Sequence, residues 1–233
     1  MLRTIILALL VGSPTIHAGD PPLPNVLLLG DSISIGYTPH VQKLMDGEAK
    51  VVRPMRSDGN RPENCQYAAY GLTRLDAWLG DTKWDVIHFN FGLHDVKYIG
   101  QALPDAKIVP QVGDAIRKNP DARQLSSLED YLAHLEKIVL RLRKTNATLI
   151  FCTTTPIPKG SRGRLPGDEV AFNEAAVELM KKLDVAVNDL HAYASQEKVA
   201  KHQRKADVHY TREGSQLLGE AVVNAILTRL GKQ

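Results

Sequence analysis

Short apolar runs alternate along the chain with longer stretches in which apolar residues recur every three or four positions. The runs lie at 26–29, 49–53, 85–91, 148–153 and 185–188. Each has strand length and is apolar enough to be buried on both faces of a sheet. Residues 127–144 carry Leu128, Tyr131, Leu132, Leu135, Ile138, Val139 and Leu142 at helical spacing, opened by a capping box, Ser126-x-x-Glu129. Residues 211–230 repeat the pattern with Leu217, Leu218, Ala221, Val222, Ala225, Ile226 and Leu230. Strands alternating with helices predict an α/β fold, a parallel sheet of about five strands covered by helices on both faces. One segment breaks the rhythm. Residues 97–124 are long, polar and interrupted by Pro104, Pro110 and Pro120, which reads as an insertion: a wall over a site, or a surface loop.

The N-terminus has a different composition. Arg3 precedes an apolar run at 4–12, and Ile16-His17-Ala18 offers a cleavage point before Gly19, so residues 1–18 read as a secretory signal. The run is too short to span a bilayer and no later stretch approaches that length, so no membrane insertion is expected. The reading leaves 19–233 as one domain, secreted or periplasmic. At 233 residues, 43% hydrophobic and 24% charged, the chain has an ordinary globular balance. Lys and Arg number 29 against 26 Asp and Glu, a dispersed net +3 that argues against a nucleic-acid partner. An oxidising compartment would permit Cys65 and Cys152 to pair. Cys152, inside an apolar run, equally suits a buried core position. Neither a CxxC nor a His/Cys cluster at ligand spacing occurs, so no metal site is expected.

In open parallel sheets, ligands bind beyond the carboxyl ends of the strands. Gly30-Asp31-Ser32 follows the first run, Gly92-Leu93-His94-Asp95 the third, and Asp207-Val208-His209 directly precedes the last helix. Ser32 alone would be an ordinary turn or capping residue. Paired with His209 it gains what a serine nucleophile requires, a neutral imidazole to take its proton.

These blocks, in this order, resemble those of the SGNH (GDSL) hydrolase family, and the resemblance spans nearly all of the chain after the leader. It implies a flavodoxin-like three-layer α/β/α fold and serine-dependent ester hydrolysis without metal or organic cofactor. By position, Ser32 resembles the nucleophile, His209 the general base and then acid, and Asp207 the carboxylate that orients the imidazole. The family usually spaces its Asp and His three apart, whereas only Val208 separates them here. In an extended segment the two side chains still point the same way. A Ser-His dyad with a backbone carbonyl in the acid's place is the alternative. For the oxyanion the resemblance implies the Ser32 N–H, with His94 standing where the family has Asn. Its second-block glycine falls at Cys65, whose N–H would serve beside the Asn64 side chain.

Loops expected at this edge carry Arg53, Arg56, Arg61, Lys97, Lys159, Arg162 and Arg164, a basic rim from which Arg56, Arg61 and Arg162 are the expected substrate contacts. With export, such a rim favours short-chain acyl, above all acetyl, esters on an acidic polysaccharide or a small molecule; a merely solvated rim is the other reading. Two further classes stay open. A lipid or lysophospholipid esterase would want a broad apolar channel, to which aromatics at 6% contribute little. A non-catalytic relative would grip glycans at the same edge.

Overall fold

The structure is a computed structural model that describes residues 22–100 and 107–232. The expected leader, 1–18, lies outside the described residues, as do 101–106 of the expected insertion. Five parallel strands, β1 (Asn25–Leu29), β2 (Lys50–Val52), β3 (Val86–Phe89), β6 (Thr148–Cys152) and β7 (Ala186–Asn188), form a sheet in the order β2-β1-β3-β6-β7. All five correspond to the apolar runs. β1, β3 and β6 are buried on both faces almost throughout, whereas the edge strands β2 and β7 keep alternate residues at the surface.

Helices flank the sheet, giving the three-layer α/β/α architecture. α1 (Ser32–Leu44) packs against α8 (Arg212–Arg229), which also meets the short α6 (Leu190–Ala194) and α7 (Glu197–Ala200), while α2 (Ala68–Leu79) packs against α4 (Leu128–Arg143), and α4 against α5 (Asp168–Lys182). The apolar stripe of α4 buries Tyr131, Leu135, Ile138, Val139 and Leu142, as its spacing predicts. Its cap is one residue later than expected. Ser127 Oγ accepts from the Asp130 N–H at 3.0 Å, while Ser126 Oγ turns inward and donates to Asp95 Oδ1 at 2.8 Å. A buried carboxylate two loops away outcompetes the local box.

The insertion has structure of its own. β4 (Tyr98–Ile99) pairs antiparallel with β5 (Arg123–Gln124), and α3 (Asp114–Arg117) lies between them. Val109, Ile116 and Leu165 make a second apolar cluster. Backbone bonds from the Tyr98 N–H to the Gly163 carbonyl, at 2.8 Å, and from the Gly163 N–H to the Gln111 carbonyl, at 2.9 Å, join it to the loop before α5. It therefore buttresses that loop. Cys65 and Cys152 are both free and buried.

Candidate active site

The strand order reverses direction at β1, with β2 on one side and β3 on the other, and a crevice opens at such a point beyond the strand ends. The loops after β1 and β3 therefore meet there. The first turns sharply from strand to helix. Gly30 is required because a Cβ there would come within 2.7 Å of Ser34 Cβ. Its carbonyl accepts from Arg53 Nη2 at 3.1 Å and from the Cys65 N–H at 3.1 Å, which pins the turn. Asp31 caps α1 by accepting from the Ile33 N–H at 2.9 Å. Ser32 is then the first helical residue, where a backbone N–H has no partner within the helix and the positive end of the macrodipole is strongest.

His209 reaches Ser32 from the other end of the chain. Residues 203–210 form a tight turn, closed by an antiparallel bridge between Gln203 and Tyr210, with Ala206 held at a φ of 57°. Beyond Ala206 the chain alternates: Val208 is buried in the core, and Asp207 and His209 face the opposite way. His209 Nδ1 lies 2.7 Å from Asp207 Oδ1, and His209 Nε2 lies 2.8 Å from Ser32 Oγ. A carboxylate only accepts, so Nδ1 carries the ring proton and donates it to Asp207; Nε2 is bare and accepts from the Ser32 hydroxyl. Burial acts to raise the Asp207 pKa, but the bonds from the His209 ring and N–H outweigh it and hold the carboxyl below its ordinary range. The single-residue spacing therefore supports the carboxylate contact.

The loop after β3 starts at Gly92, whose φ of 144° and whose closeness to Thr154 Oγ1, 2.3 Å from where a Cβ would lie, exclude any side chain. His94 follows. Burial, helped by the cations of Lys97 and Arg164, pushes its imidazole down to about 3, so it is neutral and has one N–H to donate. Asp95, fully buried, accepts from the Ala68 N–H at 3.2 Å and from Ser126, tying this loop to the starts of α2 and α4. Burial lifts its carboxyl to about 7.

Other expectations need correction. The Cys65 N–H already donates to Gly30 and is not available to an oxyanion; this residue braces the turn instead, its thiol pushed up to about 12 by burial. Asn64 Oδ1 accepts from the Gln66 N–H at 3.0 Å, and its amide NH₂ has no partner among the described residues. Two rim arginines are interior. Arg53 ties α1 to the turn through Ser34 Oγ at 2.9 Å and Thr38 Oγ1 at 3.0 Å. Arg164 is buried, and its Nε donates to the Leu93 carbonyl at 3.0 Å. Arg56, Arg61 and Arg162 are exposed, and none of the three lines the groove beside Ser32.

That groove, of about 330 Å³, is lined by Ser32, Ile33, Gly36, His40, Arg204, His209, Tyr210, Arg212 and Ser215. His40, Arg204 and Arg212 are absent from the rim read off the sequence. A signal for two of them existed: the turn that carries His209 to Ser32 must bring its flanking arginines with it. Among the described residues no three His, Cys, Asp or Glu are placed to hold a metal ion, and no helix is long and apolar enough to cross a membrane.

Comparisons agree with this geometry. Solved structures similar to it include the lipase/acylhydrolase from Enterococcus faecalis, at 19% identity over 89% of this chain and 97% of that one, TM-score 0.65. A carbohydrate esterase family 3 from Talaromyces cellulolyticus is 16% identical over 90% and 99%, TM-score 0.62. An acetyl xylan esterase, AlAXEase, is 14% identical over 87% and 99%, TM-score 0.63. At such identities the likeness is one of fold. No curated protein matches the sequence. The model of the GDSL-like lipase/acylhydrolase family matches residues 28–217, most of the chain and all three blocks, Asp207-Val208-His209 included. The protein thus belongs to the GDSL-like lipase/acylhydrolase family and is a carboxylic ester hydrolase.

Proposed function

We propose that the protein hydrolyses short-chain acyl esters, acetyl esters foremost, on a polysaccharide or small-molecule alcohol, with Ser32 as nucleophile, His209 as base and acid, and Asp207 as the orienting carboxylate. The observation that carries this reading is the unbroken hydrogen-bond chain from Asp207 through His209 to Ser32. Ser32 Oγ attacks the ester carbonyl while His209 Nε2 takes its proton. The tetrahedral oxyanion is held by the Ser32 N–H at the start of α1, with His94 and the Asn64 amide as further donors. Collapse expels the alcohol, which receives the proton from His209. Water then attacks the acyl-enzyme with His209 again as base, releasing the carboxylic acid and restoring Ser32.

The groove favours a small acyl group over a fatty one, since Ile33 and Tyr210 are its main apolar walls. Two structurally similar proteins are named for carbohydrate or xylan esters, which points toward a glycan. Export rests on Arg3 and the apolar run 4–12, and would place the enzyme where polysaccharides are met. A binding-only role is the weaker reading, because it leaves a serine, an imidazole and a carboxylate in hydrogen-bonded sequence without a task.

Ser32→Ala tested on 4-nitrophenyl acetate and on an acetylated glycan should lose several orders of magnitude in turnover. Turnover within tenfold of the unaltered protein would remove the assignment. A chain-length series in which octanoate outpaces acetate would return the lipid esterase.

A further inference from the structure

We propose that the groove opening onto Ser32 binds an anionic group, a carboxylate carried by the ester, through Arg204 and Arg212. This deepens the preceding reading and rests on it. At roughly 30 Å³ per water-sized group, about 330 Å³ holds on the order of ten non-hydrogen atoms. That exceeds the three of an acetyl group and suits a sugar ring or a short substituted chain. The floor is where α1 and α8 meet: Gly36 lies so close to α8 that a Cβ would stand 3.2 Å from Ser215 Oγ.

The charge of the lining is one-sided. His40, Arg204, His209, Tyr210 and Arg212 are its titratable members, and no carboxylate is among them. Among the described residues neither arginine side chain forms an ion pair or donates a hydrogen bond. Arg61 pairs with Asp58 at 3.8 Å and Arg141 with Asp76 at 2.6 Å, whereas the exposed Arg56, Arg74 and Arg162 form no ion pair among the described residues, so it is their place beside Ser32 that sets Arg204 and Arg212 apart. Two carboxylates act on these arginines through space, Asp207 on Arg204 and Glu213 on Arg212, but neither forms an ion pair with them. Asp207 is held by His209, and Glu213 sits beside Arg212 outside the lining. α1 and α8 both begin here, with Asp31 and Thr211 capping the Ile33 and Gly214 N–H groups, and the positive ends of both helix dipoles face the groove. Two unpaired planar guanidinium groups beside the reacting pair suit a carboxylate, which accepts two parallel bonds.

The carboxylate would belong either to the alcohol half of the ester, as in an acetylated uronate, or to the acyl half. Paired neutral isosteres separate the two. One arm compares acetylated glucuronate with acetylated glucuronamide; the other compares an aryl hemisuccinate with the corresponding succinamate. In one arm kcat/KM should favour the carboxylate by about 10- to 100-fold at low ionic strength, shrinking as salt is added. In the Arg204→Gln/Arg212→Gln double variant that ratio should fall to within about threefold of unity, with part of it returning in the Arg→Lys pair. Melting temperatures would establish that each variant is folded. Ratios near unity in both arms, or a preference that survives the double Gln variant, would overturn the proposal. Ser32→Ala, run alongside on 4-nitrophenyl acetate, separates the failures: its inactivity with no charge preference sinks this inference alone, and its activity sinks the esterase reading beneath it.

Discussion

The two ends of the sheet are built by opposite rules. At the amino ends of β6 and β7 the chain needs left-handed backbone after α4 and α5, and Asn146 (φ 59°) and Asp184 (φ 46°) supply it. These side chains tolerate that conformation. At the carboxyl ends, left-handed positions fall on Gln66 (φ 53°) and Ala206 (φ 57°), which do not tolerate it as well. Buried polar groups also gather at the carboxyl end, among them Asp31, Arg53, Asn90, Asp95, Thr154 and Arg164. At the amino end, Asp85, which accepts from the Asn25 N–H at 2.7 Å, is exposed. One edge follows local preference; the other departs from it at Gln66 in the loop after β2 and at Ala206 in the turn that carries His209. Strain and buried polarity persist where the surrounding structure overrides them, and here they mark the reactive edge.

The comparison breaks most visibly at Asp207. Asp207→Asn should lower kcat by about 10³- to 10⁴-fold, because an amide can hold His209 in the wrong tautomer. A loss below tenfold would return the dyad. His94→Leu comes next, at about 10²- to 10³-fold in kcat with little change in KM, and His94→Asn should recover most of it. Equal losses in both variants would make His94 a brace.

Asp95 tests the buried polarity itself. Its carboxyl is raised to about 7 in the folded protein and titrates near 3.9 when unfolded. The native state thus keeps a proton that the unfolded state has released, so this group's contribution to stability declines as pH rises from about 4 to about 7. Asp95→Asn removes the effect. Its stability relative to the unaltered protein should climb across that window by an amount on the order of a few kcal/mol, read from denaturant unfolding at pH 4, 5.5 and 7. His88 and His94, both pushed down to about 3 by burial, act in the reverse sense, destabilising as pH falls below about 6.5. They are present in both proteins and cancel in the difference. A flat difference would show that Asp95 is not displaced.

The smallest effect separates the edges most cleanly. Ala206→Gly relieves left-handed strain of roughly 1–2 kcal/mol against an unfolded-state penalty of about 0.4–1. A net gain near 0.5 kcal/mol, or about 1–2 °C in Tm, is expected. Asn146→Gly should bring none. Equal shifts at both positions would erase the distinction.

The sheet was legible because five runs buried between helix layers must be apolar, whichever loops join them. Ser32 and His209 were legible because each adjoins an element whose position the pattern defines. Contacts between distant loops were not. Spacing cannot show that Ser126 turns to Asp95 and leaves the cap to Ser127, or that the Cys65 N–H is already committed to Gly30. Nor can it tell a buried arginine from an exposed one. Arg53 and Arg164 look like Arg56 and Arg162 along the chain, and only the fold reveals that they brace the turn at Gly30 and the loop at Leu93. Arg204 and Arg212 were missed for the converse reason, since their place depends on where the turn before α8 lands.

The most direct test of the central claim is labelling with an aryl phosphonate, read by intact mass and peptide mapping. One adduct is expected, on the peptide containing Ser32, with the rate of labelling falling by at least 10³-fold in His209→Ala. An adduct on another residue, or labelling of Ser32 at the same rate without His209, would contradict the account.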